Sequence, residues 1–265
     1  LENMGSRDGI LKEKTSMTDF MDPDGSIILN GDDDKLRGYS PQNGIAPVFF
    51  GLDQTCPFHA ESVQNRGLNG TDAEFVTPSS PFHAHISIPG DHMVYNALAG
   101  TAVGYALGMT DEEISRGIEA LPPIAGRNNL IETGRYTIID DCYNANPASM
   151  RASLDVLSCA DTRKVAIMGD MFELGPTEKE MHYETGKYAV NKGIDVVICI
   201  GELSAETARG AEEAISSEKH AEVHHYNTKD EFFAEKDSVL KEGDTILVKA
   251  SHGMEFPEIV TILGT

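Results

Sequence analysis

RYTIIDDCYNANPASMRASLDVL (residues 135–157) begins as a short β-branched run, passes through two adjacent carboxylates, and becomes a segment whose apolar residues recur every three or four positions. That change of period marks a strand followed by a helix. Asn146 followed by Pro147 fits a helix N-cap with proline at the first helical position, where its missing N–H costs nothing. The same alternation repeats downstream. KVAIMGD (164–170), DVVICIG (195–201), AEVHHY (221–226) and DTILVKA (244–250) read as strands; EKEMHYETGKYAVNKG (178–193), SAETARGAEEAI (204–215) and KDEFFAEKDSVL (229–240) read as helices. Strand and helix taking turns imply an α/β domain with a doubly wound, mainly parallel sheet. In such sheets a ligand sits beyond the carboxyl ends of the strands. Residues that directly follow the apolar runs are therefore the candidates: Asp140 and Asp141, Gly169 and Asp170, Gly201 and Glu202, Lys249 and Ser251.

Adjacent like charges at a strand end repel each other and need a reason. One carboxylate can accept hydrogen bonds from two neighbouring hydroxyls, as in a nucleotide ribose, while the following helix N-terminus favours anions. A structural role for both acids is the alternative.

The first half is less regular. GSIILNGDDDKL (25–36) reads as a strand entering a polar turn and GIAPVFFGL (44–52) as another buried strand. Rough alternation between Phe58 and Pro89, with turn signals at NRGLNGTD and TPSSP, predicts a small antiparallel sheet. A long helix is expected from near Asp91. Its Ala97, Gly100, Ala102 and Gly104 would let another backbone approach, and Gly108 is its stop. Thr110 and Glu113 fit a capping box for a short helix that Pro122-Pro123 closes. The boundary is placed after this pair, giving domains 1–125 and 126–265.

The bulk composition agrees with two domains. The 265 residues, 40% of them hydrophobic, suffice for two cores. Forty-three acidic against 21 basic side chains leave a net charge of −22 with no basic patch, which excludes a nucleic acid or anionic membrane as an expected partner. The four cysteines share no C-x-x-C spacing, which argues against zinc and against a secreted disulfide scaffold. No apolar run approaches the roughly 20 residues of a membrane span, and the cytoplasm is the expected compartment.

IIDDCYNANPASMRASLDVL with VAIMGDMFELG (165–175) resembles the C-terminal domain of the Mur ligases. LENMGSRDGILKEK (1–14), NGDDDKL, PGDHMVYNALAG, AGRNNLIE, VICIGELSAETARGA and GDTILVKASHGM agree in order. The words DDxYNANPxSM and GDMxELG belong to the member that adds D-alanyl-D-alanine to the UDP-N-acetylmuramoyl-tripeptide. The resemblance implies the C-terminal part of a central ATP-binding domain, a mixed sheet with helices, followed by a Rossmann-like C-terminal domain. It also implies an ATP-dependent amide ligase of bacterial cell wall synthesis. The γ-phosphate would pass to the tripeptide carboxylate, and the dipeptide amine would attack the acyl phosphate. Magnesium, cations on the phosphoryl oxygens and closure of domains to exclude water serve such chemistry.

By the same resemblance Asp141 matches the ribose-binding aspartate and Arg127 the hinge arginine that reaches the nucleotide phosphates. Asn96 matches the adenine-contacting asparagine, although Met93 departs from that word. Lys14 matches a lysine that becomes a carbamate and helps hold Mg2+; an amine that takes up carbon dioxide reverses its charge and can then attract a metal. Asp170, Lys249 and Ser251 would face the incoming dipeptide or the tripeptide end. His92 and His182 are expected to pack or cap. The family's GTNGKT loop does not occur, nor does any G-x-x-x-x-G-K-[ST]. The UDP-binding domain, the phosphate loop and the metal-binding glutamate and histidine are therefore expected upstream of Leu1. The chain by itself is expected to be inactive, with apolar surface that favours self-association. The competing expectations are a non-catalytic nucleotide- or protein-binding α/β module and a sister ligase such as folylpolyglutamate synthase. A dinucleotide oxidoreductase is disfavoured, since no G-x-G-x-x-G follows a strand.

Overall fold

The computed structural model describes residues 6–41 and 44–265; the LENMG that opens the first family-like segment lies outside the described residues. The chain divides between Pro122 and Pro123 into two compact units.

The first unit runs α1 (Arg7–Thr15), β1 (Ile28–Asn30), α2 (Asp34–Arg37), β2 (Val48–Gly51), β3 (Phe58–Asn65), β4 (Thr71–Val76), β5 (Phe82–Ile86), α3 (His92–Ala106) and α4 (Asp111–Glu119). Its strands form one five-stranded sheet in the order β1-β2-β3-β4-β5. The expected antiparallel strands are there, since β3, β4 and β5 pair antiparallel. They are not a separate small sheet, because β2 pairs parallel with both β1 and β3 and joins all five into a mixed sheet. Alternate residues Phe58, Ala60, Ala73, Phe75, Ala84 and Ile86 face α3, which returns Val94, Leu98 and Ala102 to the same core. Burying such aliphatic and aromatic side chains stabilises by roughly 1.5–3 kcal/mol each.

The run of three acids after β1 is local structure. Asp32 accepts the Leu52 and Asp53 N–H groups at 2.6 and 3.2 Å and the Tyr95 hydroxyl at 3.0 Å. Burial and that acid push the Tyr95 hydroxyl up to about 12. Asp33 caps α2 by accepting the Lys35 and Leu36 N–H groups, and Asp34 pairs with Arg7.

Gly108, at φ +78°, follows α3 where the helix was expected to stop. A Cβ on Gly104 would lie 2.9 Å from Ile114, so that glycine does admit α4. Gly100 does not act this way, for nothing lies within 4 Å of its would-be Cβ. The Thr110–Glu113 capping box forms in both directions, with Glu113 N–H donating to Thr110 Oγ1 at 3.2 Å and Thr110 N–H to Glu113 Oε2 at 2.9 Å. Thr110→Ala should lower stability of the first unit by about 1 kcal/mol, read as a small fall in thermal midpoint.

The second unit runs β6 (Asn129–Glu132), β7 (Thr137–Asp140), α5 (Pro147–Ser158), β8 (Lys164–Gly169), α6 (Glu178–Asn191), β9 (Val196–Ile200), α7 (Ser204–Ala214), β10 (Glu222–Tyr226), α8 (Lys229–Val239), β11 (Thr245–Lys249) and α9 (Pro257–Leu263). The sheet order is β10-β9-β8-β11-β7-β6, parallel except for β6. Each strand read from the sequence is present. The strand that sequence reading missed is β6, whose four residues NLIE are too few to show a period.

Strands β9 and β11 are buried at every position, as expected of a sheet covered on both faces. Ile138, Val165, Ile167, Val196, Ile198, Ile246 and Val248 pack with Phe232 and Val239 of α8 and Ile259 and Leu263 of α9. The intervening Ile139, Ala166, Met168, Val197, Cys199 and Leu247 point the other way and are equally buried, on the side of α5, α6 and α7. Helices on both faces make the doubly wound arrangement.

Candidate functional site

The two adjacent acids leave β7 on opposite faces of the sheet, which removes the repulsion that their sequence suggested. Asp140 is buried and accepts the Gly126 N–H at 2.8 Å and the Cys142 thiol at 2.8 Å. Burial and that carboxylate push the Cys142 thiol up. Gly126 sits at φ +75° with Tyr143 3.2 Å from its would-be Cβ, so this approach needs glycine.

Asp141 points toward α5. Its Oδ2 lies 2.6 Å from the Lys249 ammonium and 2.5 Å from Ser153 Oγ, and Asn128 N–H donates to Oδ1 at 3.2 Å. Lys249, the last residue of the central strand β11, keeps only 2% of its side chain exposed, against 14% for Asp141. Its Nζ also donates to the carbonyl of Asn144 at 3.0 Å and reaches that of Asp141 at 3.4 Å. Three N–H groups thus meet three acceptors. Ser153 is 1% exposed on the apolar face of α5 between Met150 and Leu154. A serine on such a stripe is a signal of a buried hydrogen-bonded cluster, one that sequence reading did not use.

Arg127 is exposed, with its guanidinium 4.1 Å from the centroid of the Tyr143 ring. Tyr143 is 53% exposed and lies beside His252, the ring centroids 5.9 Å apart. A flat aromatic face under an exposed guanidinium holds the cation at the end of the sheet without neutralising it.

Asp170, Lys249 and Ser251, expected to face a substrate, are all turned inward, between 2% and 6% exposed. Asp170 Oδ1 accepts both the N–H and the hydroxyl of Ser204 at 2.7 Å and so anchors the start of α7. Gly201, at φ +121°, gives that carboxylate room, since a Cβ there would fall 2.5 Å from it. Ser251 Oγ accepts the Phe172 N–H at 2.9 Å, and its own N–H donates to the Asp170 carbonyl at 3.0 Å. His182 is fully buried between the Met171 N–H, which donates to Nε2 at 2.9 Å, and the Glu178 carbonyl, 2.7 Å from Nδ1. It is the packing residue that was expected.

In the first unit, Asn96 stands on the exposed side of α3 with its amide 3.3 Å from Met93 Sδ. It lines a cavity of about 210 Å³ whose other walls, Ile86, Ala97, Gly100, Ile118 and Leu121 among them, are apolar. Gly100 therefore opens this cavity. Lys14 is exposed in the last turn of α1. Among the described residues no group of three His, Cys, Asp or Glu side chains could hold a metal. No helix among them is long and apolar enough to cross a membrane.

A doubly wound domain with a carboxylate, an exposed arginine and an aromatic ring gathered at its strand ends, preceded by a mixed-sheet unit, places the chain in the α/β class. Residues 126–252 match the model of the Mur ligase glutamate ligase domain, and residues 1–104 that of the Mur ligase middle domain. The chain belongs to the Mur ligase family. It is 32% identical over 264 residues to the UDP-N-acetylmuramoyl-tripeptide--D-alanyl-D-alanine ligase of Bacillus subtilis, covering 98% of this chain and 56% of that protein. The Escherichia coli enzyme of the same name is 30% identical, covering 99% of this chain and 57% of the other. The chain thus spans a little over half the length of the curated relatives it matches. The crystal structure of MurF from Acinetobacter baumannii superimposes with a TM-score of 0.86 at 25% identity, covering 100% of this chain and 57% of that one. MurF from Thermotoga maritima, solved in complex with ADP, shares the fold with a TM-score of 0.82 at 24% identity, covering 100% of this chain and 58% of its own.

Proposed function

We propose that this chain is the C-terminal part of the central ATP-binding domain (1–125) and the C-terminal domain (126–265) of a bacterial, cytoplasmic ligase. The whole enzyme would join D-alanyl-D-alanine to the UDP-N-acetylmuramoyl-tripeptide at the expense of ATP. The observation that carries this is Asp141. It is fixed at a strand end, and its Oδ1 keeps acceptor capacity beyond the Asn128 N–H. Within the proposal Asp141 accepts a ribose hydroxyl and Arg127 slides from the Tyr143 face to the phosphates; Asn96, in the first unit, is separately our assignment for an adenine contact. The exposed guanidinium neutralises charge on the transferring phosphoryl group. Asp170 and Ser251 shape the end that receives the dipeptide by holding α7 and the loop at Phe172 from within.

Magnesium would supply charge neutralisation of the phosphate oxygens. Lys14, as a carbamate, is our assignment for its indirect support. The described donor set supplies no three-ligand group, so no step is assigned to the ion. The exposed Met17 and Phe20, at 65% and 91%, support self-association of the first unit.

Phosphate release by the complete gene product that carries these residues tests the proposal. Release should require ATP, the UDP-linked tripeptide and the dipeptide together, whereas the 265-residue chain should be silent. Phosphate release indifferent to the dipeptide would contradict it and favour a sister ligase, and a gene product that binds nucleotide without releasing phosphate would contradict it and favour a binding module.

A further inference from the structure

Lys249 is the feature that this reading of the site leaves over: a cation at the carboxyl end of the central strand, with its side chain 2% exposed. A group so enclosed cannot reach an incoming substrate. Its three donors go instead to the Asp141 carboxylate, the Asp141 carbonyl and the Asn144 carbonyl. They therefore grip both ends of the four-residue turn Asp141–Asn144 as well as the acid that opens it. The same turn carries Tyr143, whose N–H donates to the Gly126 carbonyl at 3.0 Å and whose ring lies under Arg127. The carboxylate assigned to the sugar thus stands on one short segment pinned by one ammonium, and the guanidinium assigned to the phosphates stacks against that same segment.

We propose that Lys249 is a positioning residue for nucleotide recognition: it presets the Asp141 carboxylate and the Tyr143–Arg127 stack as one rigid unit, with no substrate contact of its own. This rests on the ribose role proposed for Asp141. A preset acceptor loses less conformational freedom when a diol docks, and the gain falls on the sugar. Charge is needed as well as bulk, because the ammonium sits where a carboxylate and two carbonyls converge. Arginine keeps the charge but carries it on a longer planar fork that does not converge on one point.

The experiment uses the 265-residue chain and two ligands, adenosine and 2′,3′-dideoxyadenosine, titrated by NMR, alongside amide exchange. In the unsubstituted chain adenosine should bind at least tenfold more tightly. Lys249→Met should weaken adenosine at least tenfold and dideoxyadenosine less than twofold. It should also speed exchange of the Tyr143 amide at least tenfold while amides of β9 remain protected. Lys249→Arg, which keeps a cation, should lose at least threefold of the ribose discrimination and serves as the test if Lys249→Met does not fold. A parallel loss of both ligands would reduce Lys249 to a structural part and overturn the inference, as would an unaltered Tyr143 amide. Discrimination near one in the unsubstituted chain sinks the ribose reading and the positioning role with it. Tenfold discrimination that survives both substitutions sinks the positioning role alone.

Discussion

Replacing Asp141 with alanine is expected to destabilise the second unit by about 3–5 kcal/mol, the usual cost of leaving a buried cation without its anion. Lys249 has 2% of its side chain exposed, so water cannot take the place of the lost carboxylate. The two carbonyls that it also meets carry only partial charge. The converse change, Lys249→Met, should cost less. Asp141 is 14% exposed and still accepts from Ser153 and Asn128. Combining Asp141→Ala with Lys249→Met should recover at least half of the loss, since an apolar pair leaves no orphaned charge. Urea unfolding of the four proteins gives the coupling directly. An Asp141→Ala midpoint close to the parent value would show that the ammonium escapes to solvent and that the cluster is less enclosed than its exposure indicates.

Gly186→Ala should be of similar severity, by a different mechanism. Helices α6 and α7 cross so closely that a Cβ on Gly186 would lie 1.8 Å from the Thr207 carbonyl oxygen and 2.8 Å from the Ala211 nitrogen. Gly210 faces the same contact from the other helix, its would-be Cβ 2.0 Å from the Tyr183 carbonyl. The obstacle in each case is backbone, which cannot swing away like a side chain. The helices must separate and unpack Ala189, Val190, Ala208 and Ala211, all buried. Overpacking of this kind costs about 3 kcal/mol, a fall in thermal midpoint of roughly 6–12 °C. Gly193→Ala is not an adequate control, because that residue sits at φ +73°. Gly117→Ala is one, with nothing near its would-be Cβ, and should raise stability by about 0.5–1 kcal/mol through helix propensity alone. If Gly186→Ala matched Gly117→Ala, the close crossing would be wrong.

Much of the fold could be read locally. β7, β8, β9 and β11 were legible because three to five β-branched or apolar residues in a row, ended by glycine or a charged residue, have few alternatives, and β10 was legible from its place between two helical segments. α5 and α4 were legible from their caps, Asn146 with Pro147 and Thr110 with Glu113. β6 was not legible, since its place depends on pairing with β7. Nor was the union of five strands in the first unit, because the parallel pairing of β2 with β3 covers only two residue pairs. At the candidate site the sequence pointed to the strand ends where Asp141, Arg127 and Tyr143 gather. It could not say which side chains turn inward, and the substrate-facing expectation for Asp170, Lys249 and Ser251 met three buried, hydrogen-bonded groups.

What the sequence determined by itself was the order of elements, their caps and the loops where polar residues gather, for these follow from periodicity and from neighbours within four positions. Only the tertiary structure decided that Asp141 and Lys249, 108 residues apart, would meet. The reason is topological. The last strand, β11, inserts between β8 and β7, and the two-residue pleat then sends Lys249 to the α5 face, where Asp141 and Ser153 already point.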